Sequence, residues 1–324
     1  MAVYTEVSDS DIARFLSDYD VGELQSFRGI AEGVENTNYM VHTTTGPLIL
    51  TLYEKRVSGG DLPFFLGLME HLAKNGLSCP VPLRNKHGDN LSTLANRSAA
   101  LVTFLEGFWL RAPAPRHCRI VGEALAKLHL AGSDFHMKRP NALGPQGWQS
   151  LFDTLGVDQI NTIKDGLGET ILAELETLHA MWPDDLETGV IHADLFPDNV
   201  FFLDDDLSGL IDFYFACNDA MAYDLAICLN AWCFEQDFSF NITKGQALLN
   251  GYEKVRPLSQ NETAAMPTLA RGAALRFLLT RCTDWLSTPP GALVKPHNPL
   301  DYLQRLQFHQ TAKNIRDYGH NPRT

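Results

Sequence analysis

A chain of 324 residues with 45% apolar content can bury a large core, as one big domain or as two lobes. Its 39 Asp and Glu outweigh 26 Lys and Arg to leave a net charge of −13, which excludes a nucleic-acid partner because phosphate-backbone binding needs a basic face. No run approaches the roughly 18 apolar residues of a membrane span, the acid-bearing start does not read as a signal peptide, and Cys79, Cys118, Cys217, Cys228, Cys233 and Cys282 form no C-x-x-C pair that would suggest zinc or a disulfide framework. A cytoplasmic protein with a small cationic or zwitterionic partner, and no membrane contact, is the expectation.

Asn38 to His42 and Pro47 to Tyr53 are β-rich runs around the turn Thr44-Thr45-Gly46, which predicts a hairpin. Leu62 to Asn75 follows with Phe65, Leu68, Met69 and Leu72 at three- and four-residue steps and Gly76 as a stop, the pattern of a helix. Cys79-Pro80-Val81-Pro82 then leads into two strands broken at His87-Gly88-Asp89-Asn90, and Ala99 to Phe104 is a further strand. Beyond the connector Phe104 to Gly107 the spacing turns helical over Cys118–Leu130, Leu167–Met181, Tyr223–Phe234, Lys244–Val255 and Thr263–Trp285. Between them Val200 to Leu203 and Leu210-Ile211 flank an acidic turn, predicting a hairpin among helices. The fold class expected is therefore α+β: a small β-rich lobe over residues 1–104 and a larger helical lobe over 105–324.

The chemistry concentrates in Val190-Ile191-His192-Ala193-Asp194-Leu195-Phe196-Pro197-Asp198-Asn199, with Ile211-Asp212-Phe213 thirteen positions after Asn199. Phosphoryl transfer asks a protein for positioning and charge neutralisation. Asp194 would accept the proton of a substrate hydroxyl, Asn199 and Asp212 would be hard oxygen ligands for Mg2+, and His192 would brace the loop. The P-loop signature and the G-x-G-x-x-G dinucleotide fingerprint are both missing. The turn holding Gly29, Gly33, Asn36 and Thr37 offers amides that could cover ATP phosphates.

At these residues the chain resembles the aminoglycoside-phosphotransferase and choline-kinase superfamily, small-molecule relatives of protein kinases, over nearly its whole length. His192-Ala193-Asp194 with Asn199 matches the family's H-G-D-x-x-x-x-N with Ala for Gly, and Ile211-Asp212-Phe213 matches its later I-D-F/W. The resemblance implies a two-lobe, protein-kinase-like fold, ATP and Mg2+ as cofactors, and adenine binding by the connector backbone around Thr103 to Leu105. Glu35 to Tyr39, Leu48 to Lys55, Leu62 to Phe65 and Asp212 to Cys217 resemble the branch that phosphorylates L-homoserine for threonine synthesis. One departure stands out. Where protein kinases carry a phosphate-gripping lysine, the expected position is Thr51; Lys55 is the nearest replacement, and Glu70 is the acid on the following helix.

A zwitterionic amino acid needs a cation for its carboxylate and an acid for its ammonium group. Arg276 and Arg281 sit among apolar neighbours on Thr263 to Trp285, together with Arg271, and each serves either a ligand or an internal acid. Asp224 serves either the ammonium group or the catalytic loop, as a helix-start carboxylate. Choline, methylthioribose and aminoglycosides remain alternative substrates, and a catalytically dead nucleotide-binding module an alternative role.

Overall fold

A computed structural model describes residues 5–30, 36–54, 59–289 and 295–320. Helix α1 (Asp9–Leu16) starts at Ser8, whose hydroxyl accepts from the Asp11 N–H while the Asp11 carboxylate takes the Ser8 N–H. Strands β1 (Leu24–Gly29), β2 (Thr37–Thr43) and β3 (Gly46–Leu52) follow, then helix α2 (Leu62–Lys74), then β4 (Ser92–Leu94) and β5 (Arg97–Thr103). They form one antiparallel sheet in the order β1-β2-β3-β5-β4. Alternation along β2 turns Tyr39 and Val41 inward, opposite Leu50 and Leu48. Ile12, Phe15 and Leu16 of α1 cover that face and give the sheet a small core of its own.

The hairpin around Thr44-Thr45-Gly46 and the Leu62 helix form as expected. The break at His87 to Asn90 does not lie between paired strands. There the Asn85 side chain accepts the N–H groups of His87 and Asp89 and closes a turn outside the sheet, and β4 returns into β5 through Ala95-Asn96, both left-handed at φ 50° and 59°.

Helix α2 docks on the segment that follows α3 (Pro115–Ala131). Asp61 pairs with Arg139 at 3.0 Å, the Phe64 ring meets Phe135 at 5.5 Å, and His71 lies 2.9 Å from Asp134. Its apolar face therefore belongs to the large core rather than to the sheet's own.

The helical lobe continues with α4 (Pro145–Asn161), α5 (Leu167–Met181), β6 (Thr188–Ile191), β7 (Val200–Leu203), β8 (Asp206–Leu210), β9 (Cys217–Ala220), α6 (Met221–Trp232), α7 (Ile242–Val255), α8 (Gln260–Ser287) and α9 (Leu300–Thr311). β6 pairs with β9 and β7 with β8. α6 is apolar and buried nearly all round, the signature of a helix at the centre of a domain. All six cysteines are buried and free, packing as small apolar groups. Among the described residues no helix is long and apolar enough to cross a membrane.

The connector is fastened to the β7–β8 hairpin. Phe108 and Phe202 exchange both backbone hydrogen bonds at 3.0 Å, and the Ser208 hydroxyl donates to the Glu106 carbonyl. Gly107 is required there: its φ is +121°, and a Cβ would meet the Phe202 carbonyl oxygen at 2.7 Å.

α9 contributes a buried titratable group. Asn230 spends its amide hydrogens on the Ala226 and Ala270 carbonyls, so its oxygen accepts from His309 Nε2 at 3.1 Å. His309 Nδ1 then accepts from the Tyr318 hydroxyl at 3.0 Å. Burial, helped by Arg305 and Arg271, pushes the ring down to about 3. Because the folded value lies below that of the unfolded chain, the contribution is complete above about pH 6.5 and drains away as pH falls toward the folded value, at about 1.4 kcal/mol per pH unit. Urea unfolding is expected to show a midpoint lower at pH 5 than at pH 7, with a shallower decline in His309→Gln. An equal decline in the two proteins would rule this source out.

Candidate active site

Strand β6 ends in the buried pair Val190-Ile191 and delivers the chain into His192-Ala193-Asp194. Ala193 has φ +62°, in the left-handed region where its resemblance family carries glycine. Asp224, fully buried in the first turn of α6, accepts the His192 N–H at 2.7 Å and the Ala193 N–H at 2.9 Å. It also accepts from His129 Nε2 at 3.1 Å, and His129 Nδ1 then takes the Tyr252 hydroxyl hydrogen at 2.8 Å. Burial alone would raise the Asp224 carboxyl, but the hydrogen bonds from His129 and the His192 amide hold it below the ordinary value.

His192 joins the two halves of the site. Its Nε2 lies 3.0 Å from the Ile211 carbonyl, so that nitrogen donates, and Nδ1 accepts the Asp194 N–H at 3.3 Å. Burial lowers its pKa, consistent with the neutral ring these bonds require. Below the loop, the Leu195 carbonyl accepts from Trp232 Nε1 at 2.7 Å, which fixes Trp232 in the core.

Asn199 closes the short 3-10 turn Pro197–Asn199. Its amide nitrogen donates to the Asp194 carbonyl at 2.8 Å and to Asp194 Oδ2 at 3.3 Å. Both acceptors are oxygens, so the amide is oriented with Oδ1 turned away from Asp194. The Ile211 N–H donates to the Asn199 carbonyl at 3.0 Å, which sets Asp212 one residue beyond that link. Asp212 is left-handed at φ 62°, exposed, and next to the buried Tyr53–Tyr214 pair, whose hydroxyls lie 3.1 Å apart. Burial pushes Tyr214 up to about 12, and the Asp212 charge adds to the rise. Asp194, Asn199 and Asp212 thus converge from one loop and one strand end. Among the described residues no three His, Cys, Asp or Glu gather around a metal position. An Asn oxygen and one carboxylate suit a cation that keeps waters and phosphate oxygens as its other ligands.

The remaining expected positions fall in several places. Gly29 ends β1 where the β1–β2 turn begins, and Gly33 and Lys55 lie outside the described residues. Asn36 and Thr37 are buried, and both serve Glu54: the Asn36 oxygen accepts the Glu54 N–H at 3.4 Å, and Thr37 donates to its carboxylate at 2.9 Å. Thr51 is 3% exposed and donates to Asn38 Oδ1 at 2.8 Å across the β2–β3 pair, so the lysine's expected place is filled by a cross-strand hydrogen bond. Glu70 pairs with Arg84 at 2.7 Å. Thr103 exchanges backbone and hydroxyl bonds with Val81 and is the last β5 residue in register with β3, opposite Leu48, so the chain leaves the sheet at Phe104 and Leu105.

The three arginines of α8 diverge. Arg271 grips Glu174 with two 2.8 Å bonds. Arg276 is buried and donates to the Ala193 carbonyl. Arg281 pairs with Asp301 at 3.1 Å, donates to the Asn298 carbonyl at 3.2 Å and stacks 4.6 Å from the Tyr302 ring. Burial raises the Tyr302 hydroxyl, and the Asp194 charge contributes. The His297 pKa is lowered by burial and by Arg281 against the charges of Asp198, Asp301 and Asp284.

Sequence reasoning missed His129. The signal was present as a histidine four residues after Leu125 and eight after Val121, on the buried stripe of α3.

The sequence profile of the phosphotransferase enzyme family matches residues 26–258. The chain belongs to this family. Among curated relatives, this phosphotransferase is 60% identical over 319 residues to the homoserine kinase of Agrobacterium fabrum, covering 98% of this chain and 99% of the relative. It is 61% identical over the same length and coverage to the homoserine kinase of Xanthobacter autotrophicus. Among solved structures, the amicoumacin kinase hAmiN, in complex with AMP-PNP and Ca2+, superposes with a TM-score of 0.73 at 13% identity, covering 95% of each chain. The choline kinase of Cryptosporidium parvum gives 0.66 at 14% identity over 94% of each. These likenesses establish the kinase-like, α+β fold expected from the sequence.

Proposed function

We propose that this phosphotransferase moves the γ-phosphate of ATP to the side-chain hydroxyl of L-homoserine, giving O-phospho-L-homoserine for threonine synthesis in the cytoplasm. The observation that carries the reading is the 60% identity, over almost the full length of both chains, to curated homoserine kinases. The site supports it. Asp194 accepts the hydroxyl proton and aims the oxygen at the phosphate. Asn199 Oδ1 and the Asp212 carboxylate hold Mg2+, which when bound neutralises charge on the transferring group. The connector backbone at Phe104 and Leu105, where the chain leaves the sheet, takes the adenine edge, and amides around Gly29 and Gly33 cover the phosphates. The lobes divide at residues 104 and 105. Arg281 receives the homoserine carboxylate: Asp301 meets it through Nη1, and the guanidinium fork offers further donors to a ligand. Arg276 and Asp224 are committed to the loop.

ADP release measured with homoserine, choline, methylthioribose and kanamycin tests the assignment. Homoserine is expected to support turnover and the other three to give background rates. A silent homoserine reaction beside an active alternative would overturn the substrate.

A further inference from the structure

The peptide joining Ala193 to Asp194 is held at both ends. Its N–H goes to His192 Nδ1 at 3.3 Å, and its carbonyl accepts from Arg276 Nη1. One peptide earlier, the Ala193 N–H goes to Asp224 Oδ1 at 2.9 Å. Ala193, left-handed at φ +62°, therefore presents its N–H to a buried anion and its C=O to a buried cation. The two charges thus act on the same residue of the loop, from its N–H and its C=O.

We infer that Arg276 is a positioning residue that aims the Asp194 carboxylate, by clamping the Ala193–Asp194 peptide from the side opposite Asp224. The guanidinium also lies 4.5 Å from the Phe277 ring and 5.7 Å from Phe215, three residues beyond Asp212, so one rigid plane touches both the proton-accepting and the metal-side segments. Stability is a poor reason for keeping it. Its Nε is buried without a hydrogen-bond partner, and a buried cation with an unmet donor costs more than an apolar chain of the same length.

The inference rests on the proposed role of Asp194, and the test separates the two. Initial rates for wild type, Arg276→Met and Arg276→Lys give kcat and KM for both substrates, with urea unfolding as the check on folding. Arg276→Met is expected to lose about 100-fold in kcat with both KM values kept, the scale of a misaimed reacting group. Arg276→Lys, which keeps the charge and a donor but not the fork, falls between it and wild type. A folded Arg276→Met with wild-type kcat overturns the inference, as does a rise in the homoserine KM at unchanged kcat, which would make Arg276 a ligand group. If Arg276→Met does not fold, Arg276→Lys decides: reduced kcat at constant KM supports the inference, and unchanged kcat overturns it. A wild type silent with homoserine but active on another alcohol overturns only the substrate, and the same split on that alcohol then judges Arg276.

Discussion

Asp194→Asn is expected to lower kcat by roughly 1000-fold, the middle of the range for a positioned general base, while the KM for ATP stays near its wild-type value. The substitution keeps size and shape. The Asn199 amide still donates to the residue 194 carbonyl, so the turn and the metal-side oxygen stay in place. What disappears is the proton acceptor and one negative charge. Coupled ADP-release kinetics, with circular dichroism to verify folding, measure the effect. A folded variant within tenfold of wild type would remove Asp194 from the chemistry.

Asp224→Ala is expected to be the most destabilising single change in the site, at about 3–5 kcal/mol, the cost of breaking a buried charged pair. Truncation leaves the His192 and Ala193 amides and His129 Nε2 buried without an acceptor. It also leaves Arg276 buried with no anion across the loop from it. Asp224→Asn offers no relief, because an amide nitrogen would face an N–H on one side. The wild-type carboxyl is held below its ordinary value, so its contribution is complete above about pH 4 and is lost as pH falls through the depressed folded value. Chemical denaturation of the two proteins at neutral pH reads the difference. A loss under about 1 kcal/mol would show that Asp224 is not the anchor of the loop.

The parts of the site that were legible in the sequence are those whose logic is local. Asp194 and Asn199 share one short loop, Asp212 closes the hairpin that follows, and the helix at Leu62 announces itself by its apolar steps. Roles that depend on long reach were not legible. The spacing of Ala273 to Phe277 said that Arg276 needs a partner, but that partner is a carbonyl 83 positions earlier, in a loop that only folding brings near α8. Thr51 was legible as a departure, and its bond to Asn38 became visible only with the β2–β3 register. α4 escaped notice because Gly156, at φ 72°, breaks its periodicity midway. α9 was missed although Leu300, Leu303 and Leu306 repeat every three residues, a stripe too short to stand out between two loops.

A connector fastened to the β7–β8 hairpin at Glu106 and Phe108 has little freedom to flex along that length. Asp61–Arg139, Phe64–Phe135 and His71–Asp134 likewise moor α2 to the helical lobe. The five-stranded sheet with α1 owns a separate core, yet it too is tied to the helical lobe, because Tyr53 at the end of β3 meets the Tyr214 hydroxyl at 3.1 Å. Phe104 and Leu105 are the short stretch that joins this sheet to the fastened connector. If the adenine seats on those two residues as proposed, the hold on the base and any movement at the junction are expected to change together.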